Sequence, residues 1–389
     1  MSSPDLGAAE MAAVQEVLAT RHLSLGPRLD AFERALAEYV GAAYGVGVNA
    51  GTSGLHLCVI AAGVGRGDLV ITTPFSFVAS ANCILYERAI PIFVDVDPAS
   101  GNIDPQMVAA AAADLVSGRT AARRWLPPAL RHQAPVPTAL KAILPVHVFG
   151  QPADMDPIMA TARQNNLVVI EDACEAIGAE YCGRRVGGLA DAAVFAFYPN
   201  KQMTTGEGGV VVTHREAWAS LLRSLRNQGR DVFDAWLSHT RLGYNYRLDE
   251  MSAALGLAQL QRLDQMLARR AQVAGWYGEG LADVEPVERP TVVASTTCMS
   301  WFAYVIRIKP PVRRDDVVRW LAAAGIPSRP YFTPIHLQPF YQERFGYRGG
   351  AFPVAEHLGN VSLALPFSGV MTQSQVDEVC HVLRLAVRG

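Results

Sequence analysis

Three short stretches hold the residue types from which chemistry can be built. The first, Asn49-Ala50-Gly51-Thr52-Ser53-Gly54, follows an apolar run and precedes a helical pattern. Backbone amides at Gly51, Thr52 and Ser53, with two hydroxyls beside them, can cradle a phosphate at a helix N-terminus. An ordinary Ser/Thr helix cap is the structural alternative. The glycine spacing is that of neither a P-loop nor GxGxxG, and GTSG lacks the GxSxG spacing of a hydrolase elbow. The second stretch, Leu167-Val168-Val169-Ile170-Glu171-Asp172, ends an apolar strand in two acids. Open α/β sheets place their sites at such strand ends, although a capping Asp reads the same way. The third, Phe195-Ala196-Phe197-Tyr198-Pro199-Asn200-Lys201, leads into a glycine-rich turn at Gly206–Gly209. A lone lysine is usually a solvated surface group. In this order, however, a cradle, a strand-end carboxylate and a loop lysine are the parts pyridoxal phosphate requires. The cradle anchors the phosphate. The carboxylate keeps the pyridine nitrogen protonated, so that the ring can act as an electron sink. The lysine forms the Schiff base and, once displaced, shuttles the proton.

The elements that must position these residues follow from periodicity. Apolar runs at 44–48, 69–72, 90–94, 142–148, 167–170, 192–197 and 210–213 are short and end in Gly, Pro, Asp or Asn. Helical patterns at 53–62, 77–86 and 157–165 lie between them. The alternation predicts an α/β fold with a mostly parallel central sheet. Helices are also expected at 8–20 and 29–39. A long helix capped by Asp249 should carry Met251, Leu255, Leu260, Leu263 and Leu267. A smaller α+β C-terminal region follows, with a strand within 301–308 and helices at 315–324 and 374–387. The expected division is an N-terminal arm (1–20), a large cofactor-binding α/β domain (21–258) and a small C-terminal domain (259–389). The Pro- and Arg-rich stretch from 117 to 140 reads as an inserted surface loop, either a solvated linker or a basic lip for an anionic substrate.

Composition excludes several classes. Among 389 residues, 34 Lys plus Arg balance 36 Asp plus Glu, for a formal charge of -2, so no broad nucleic-acid-binding surface is expected. Hydrophobic residues at 50% exclude wholesale disorder. The six cysteines are scattered without a CxxC pair, which predicts no metal site and buried free thiols in a reducing compartment, Cys174 and Cys182 among them. No run is long enough for a membrane span and no leader pattern is present, so a cytoplasmic protein is expected. His147, in Pro145-Val146-His147-Val148, reads as a satisfied core or near-site histidine.

Seven segments carry a family resemblance: AGTSGLHL (50–57), PFSFVASAN (74–82), PIFVDVD (91–97), LPVHVFG (144–150), VVIEDACEAIGAEYCGRRVG (168–187), FAFYPNKQMTTGEGG (195–209) and LGYNYRLDEMSAALGLAQL (242–260). Together they resemble the nucleotide-sugar aminotransferases of the DegT/StrS type, fold-type I pyridoxal-phosphate enzymes of the aspartate aminotransferase superfamily. The resemblance runs nearly end to end, with the 117–140 stretch the main part lacking a counterpart. It implies that Lys201 is the Schiff-base lysine and that Asp172 pairs with the pyridine nitrogen. It further implies that Phe77 stacks on the ring and that Gly51, Thr52 and Ser53 hold the phosphate. Asn245 would reach the phosphate of the neighbouring subunit, which implies a homodimer with shared active sites. Two positions depart from the pattern. Ala196 stands where many members have a phosphate-binding Ser. Glu175 stands where many have a cofactor-touching Gln, and it is retained among the cofactor-binding residues.

The resemblance points to the perosamine-synthase-like branch. The implied reaction moves an amino group from L-glutamate, through pyridoxamine phosphate, to a nucleotide-linked ketosugar, at C4 of a 4-keto-6-deoxyhexose. His336, Arg329 and Arg247 are candidate substrate contacts, the two arginines toward a diphosphate. Alternatives on the same scaffold are amination of a keto-cyclitol, amination at C3, and a non-catalytic regulator; the alternating pattern alone also admits a nicotinamide oxidoreductase.

Overall fold

The computed structural model describes residues 3–118, 120–132, 139–231 and 238–388. Helices α1 (Ala8–Leu18) and α2 (Pro27–Val40) precede strand β1 (Tyr44–Val48). Then α3 (Gly51–Ala61), β2 (Leu69–Thr72), α4 (Ala79–Tyr86), β3 (Ile90–Phe93), α5 (Pro105–Ser117), β4 (Leu140–Leu144), α6 (Met155–Asn165) and β5 (Val168–Asp172) alternate. A hairpin, β6 (Glu180–Tyr181) and β7 (Arg184–Arg185), leads to β8 (Ala192–Ala196), β9 (Gly209–Thr213) and α7 (Glu216–Arg226). The central sheet runs β1-β9-β8-β5-β4-β2-β3. Only β9 runs against the rest, pairing antiparallel with both β1 and β8. All seven expected strands therefore appear. The run at 142–148 stops earlier, at Leu144, because Pro145 follows and 148–150 turn as a 3-10 helix.

The sheet is covered on both faces, which explains its apolar strands. Helices α3 and α7 join one hydrophobic cluster with β1, β8 and β9, while α5 and α6 join another with β2, β3 and β4. Local chemistry supports the helix starts. Asp104 caps α5 by accepting from Gln106 N at 2.8 Å, ahead of Pro105 at its first position. Gly41 ends α2 in the left-handed region, at φ 77°.

The expected long helix is two. Helix α8 (Glu250–Gln261) is capped by Asp249, which accepts from Ser252 N at 2.9 Å. It breaks at Arg262 (φ -119°, ψ 14°), and α9 (Leu263–Gly280) restarts from there. The break has a physical cause. Arg262 turns back to the first residues of the chain and donates to Glu10 Oε1 at 2.6 Å and Asp5 O at 2.6 Å. From Val273 onward α9 joins a separate apolar cluster with Ile306, Leu321, Leu363 and Leu383. That cluster draws on β10 (Val287–Glu288), β12 (Val305–Ile308), α10 (Arg314–Ala323), β13 (Ser362–Ala364) and α13 (Gln373–Ala386), while the edge strand β11 (Thr296–Cys298) pairs with β6, α11 (Pro339–Phe345) packs in a cluster with Phe93, and α12 (Pro353–Val361) joins the cluster of α3.

The 117–140 stretch is not a bare surface loop where it is described. Ala122 and Leu126 are fully buried in the cluster of α5, because two 3-10 turns fold them inward. Positions 119 and 133–138 of that stretch lie outside the described residues. Cys182 corrects a second expectation: it is exposed, on a turn at φ 48°, as is Cys298, whereas Cys58, Cys83 and Cys380 are buried. Among the described residues no helix is long and apolar enough to cross a membrane, and no group of three or more His, Cys, Asp or Glu is placed to hold a metal ion.

Candidate active site

The site is assembled at the carboxyl ends of β5 and β8. Asp172 is the last residue of β5 and is buried. Its Oδ2 accepts from Ser80 Oγ at 2.7 Å and its Oδ1 from Cys174 N at 3.2 Å. Its own N–H and C=O are tied to Pro145 O and His147 N, which fixes the strand end that carries the carboxylate. Behind it, His147 and Glu171 form a fully buried pair at 3.1 Å. His147 Nδ1 accepts from Ala153 N at 3.0 Å, which leaves its Nε2 as the donor to Glu171. Glu171 also accepts from Gly187, Leu189 and Ala190. His147 is thus a satisfied core histidine, and Glu171 ties the turn after β7 to β5.

Lys201 follows β8 in an irregular turn and is largely buried. Its Nζ lies 3.6 Å from Glu175 Oε1 and 4.3 Å from the centre of the Phe302 ring. Phe302 is held from behind by Arg270, whose guanidinium donates to the Trp301 and Phe302 carbonyls at 2.6 and 2.8 Å. Burial without a carboxylate partner lowers the Arg270 pKa to about 10. Glu175 is pushed the other way: burial raises its carboxyl above the usual range, with Lys201 opposing and Asp172 adding to the rise. The Cys174 thiol is likewise driven well up by burial and then by the Asp172 charge, so it is a protonated neighbour and not a nucleophile. Cys174 N donates to Asp172 and its neighbour Glu175 faces Lys201, so adjacent residues link the two predicted groups around one small volume.

Helix α3 brings its N-terminus to the same place. Its cap residue is Ala50, and no side chain caps it, so its first amides are left for another acceptor. Ser53 Oγ donates to Asn49 Oδ1 at 2.7 Å. A Cβ on Gly51 would sit 2.6 Å from Ala196 Cβ and 2.9 Å from Cys174 Sγ, so only glycine permits this approach. An uncapped helix start, a bare backbone at Gly51, a buried carboxylate and a buried lysine fit a phosphorylated pyridine aldehyde. Phe77 presents a ring that is 62% exposed, one turn before Ser80 on the same segment, as a stacking group requires.

The remaining candidates separate. Asn245 is exposed, on a loop that runs beside β1 through Asn49 N to Tyr246 O at 2.9 Å. Arg247 donates to Asn227 Oδ1 at 3.0 Å. Arg329 is exposed, two residues before Tyr331, whose ring stacks on Phe149 beside Glu175. His336 is fully buried, with Nε2 2.9 Å from Glu356 Oε1 and its ring edge-on to Phe352 and Tyr347. It belongs to a packed aromatic cluster, not to an open surface. Sequence reasoning missed Ser80, Phe302, Arg270 and the wall of Phe149, Tyr331 and Phe332. Ser80 had a signal, since it lies three residues after Phe77 on one helical face. The others come from distant segments and had none.

Residues 4–384 match the DegT/DnrJ/EryC1/StrS aminotransferase family. The GDP-perosamine synthase of Caulobacter vibrioides is 38% identical over 98% of this chain and 96% of its own length. The spore coat polysaccharide biosynthesis protein SpsC of Bacillus subtilis is 35% identical over 100% of this chain and 97% of its own. The crystal structure of S. venezuelae DesV superimposes with a TM-score of 0.86 at 33% identity, covering 98% of this chain and 95% of that one. The fold is that of the fold-type I aminotransferases.

Proposed function

Since the chain belongs to the DegT/DnrJ/EryC1/StrS aminotransferase family, whose members are pyridoxal-phosphate-dependent sugar aminotransferases, we propose that it moves an amino group from L-glutamate to a nucleotide-linked keto-deoxysugar, at C4 of a 4-keto-6-deoxyhexose. The observation that carries the site assignment is the convergence of Lys201, Asp172 and the uncapped start of α3 on Cys174 and Glu175. The C4 position rests on the similarity to the GDP-perosamine synthase.

When bound, pyridoxal phosphate supplies an electron sink that lets a proton leave the carbon bearing the amino group. The chain does the rest. The amides of Gly51, Thr52 and Ser53 would hold the cofactor's phosphate at the start of α3. The Asp172 carboxylate, oriented by Ser80 and the Cys174 N–H, holds a proton on the ring nitrogen. The exposed ring of Phe77 would offer the heterocycle a stacking surface. Lys201 Nζ would move the proton that leaves the donor's α-carbon, acting as base and then as acid. The acceptor ketone reverses the sequence. Arg329 is suited to the substrate's phosphates, and Asn245 to a phosphate in a second copy of the chain, which makes the active unit a homodimer. Arg247 is the weaker substrate contact of the two arginines because Asn227 already holds it.

The test is spectroscopic and then chemical. Purified protein should show a visible cofactor band that L-glutamate bleaches and a keto-sugar nucleotide restores. A panel of 4-keto and 3-keto sugar nucleotides and a keto-inositol then identifies the acceptor. Multiple turnovers by Lys201→Ala at the wild-type rate would overturn the reading.

A further inference from the structure

Glu175 touches both sides of the site. Its Oε1 faces Lys201 Nζ at 3.6 Å, and its Oε2 accepts the Phe149 N–H at 2.9 Å. Phe149 is a non-glycine residue in the left-handed region, at φ 59°. For an aromatic residue this conformation persists only where its surroundings hold it. Its neighbour Gly150, at φ 93°, is packed against the carbonyls of Ser300 and Glu175. The turn also receives Ser300 N on Gly150 O at 3.1 Å and Phe302 N on Phe149 O at 3.2 Å, and Phe302 carries the ring that lies over Lys201. The Phe149 ring stacks on Tyr331 and Phe332, at 6.1 and 5.3 Å between centroids. One carboxylate thus bridges the ammonium of Lys201 and the backbone of a strained turn that carries an aromatic wall.

We propose that Glu175 is a positioning residue that couples the charge on Lys201 to the conformation of the Phe149 turn, so that the wall of Phe149, Tyr331 and Phe332 is held tightest while the lysine is a free ammonium. The physical reason is the strength of the bond Glu175 can accept. A buried carboxylate with a cation beside it stays ionised, and an ionised acceptor binds an N–H about twice as strongly as a neutral one. Without the cation, the buried charge is left facing Asp172, which favours a protonated, weaker acceptor. Given the proposed reaction, on which its functional meaning rests, the wall would tighten in the half-reaction that receives the acceptor sugar, after the lysine has been released.

Amide hydrogen exchange, read by mass spectrometry over 147–151, tests the coupling in the full chain stripped of cofactor. Four proteins are compared: wild type, Lys201→Met, Glu175→Gln and the double variant. Lys201→Met should speed exchange at Phe149 about fivefold, and the same substitution in the Glu175→Gln background should have no further effect. The Gln side chain keeps an acceptor for Phe149 but has no charge to lose. Unchanged exchange in Lys201→Met, or an equal Lys201→Met effect in both backgrounds, overturns the proposal. Neither result bears on whether the loaded enzyme transfers amino groups, so this test and that of the reaction fail separately.

Discussion

Ala196 is the departure from the family pattern that lies nearest the proposed phosphate site. Its methyl lies against Gly51, where a hydroxyl would meet a phosphate seated on α3. Ala196→Ser should therefore tighten cofactor binding about fivefold, the worth of one added hydrogen bond; a fluorescence titration of the stripped protein measures it, and unchanged or weaker binding would show that the hydroxyl finds no phosphate. Ser80 is the converse case. It supplies the hydroxyl that orients Asp172 Oδ2. Ser80→Ala leaves a buried carboxylate oxygen short of one donor. It should lower kcat by about tenfold with little change in the far-ultraviolet circular dichroism spectrum. His336 and Glu356 set a pH dependence. Burial pulls the His336 pKa down despite the Glu356 hydrogen bond. Burial opposes ionisation of Glu356, yet the Gly350 and Phe352 N–H groups and His336 bring its carboxyl below the usual range. Both shifts have the same sign for stability. The unfolded chain binds more protons, so stability present at neutral pH is lost as pH falls, from about 6.5 for the imidazole and from about 4.3 for the carboxyl. Urea midpoints should fall across pH 7 to 4, and His336→Gln should remove the part of the decline that starts near pH 6.5.

At the scale of elements, α2 is held by a residue of another helix. Glu250, buried in the first turn of α8, accepts from Gly26 N and Leu29 N through Oε1, at 3.0 and 2.8 Å, and from Arg28 N through Oε2, at 2.8 Å. One carboxylate thus replaces the side-chain cap that Gly26 cannot provide. Glu250→Gln loses the charge and one acceptor, and should cost about 1–3 kcal/mol in urea unfolding. The active-site consequence is indirect, because α8 also packs against α1 and its Gln259 carbonyl oxygen accepts from Thr204 N in the turn after Lys201.

For the whole molecule, the exposed apolar side chains argue for a second copy. Leu242 is 82% exposed, immediately before the loop that carries Asn245, and Tyr86 and Tyr198 are each more than half exposed. Such a set is costly on a free surface and useful at an interface. Sedimentation should find a dimer at micromolar concentration, and Leu242→Asp should shift it toward monomer and weaken cofactor binding with it. A wild-type monomer that binds cofactor with full affinity would remove the role assigned to Asn245.

The chain by itself determined what depends on neighbours in sequence. Strand and helix periods place Asp172 at a strand end and Gly51 at a helix start, because side-chain direction repeats every two or 3.6 residues and glycine and proline punctuate locally. The residues quoted for the family resemblance lie on these same elements. Contacts between distant segments were decided only by the fold. The break at Arg262 depends on Asp5 and Glu10, more than 250 residues away. The burial of His336, the Phe302 ring over Lys201 and the Phe149 turn on Glu175 likewise join segments that no local pattern links. Packing chooses these partners by shape and by the need to pair each buried polar group, and both become defined only when the whole chain has closed around them.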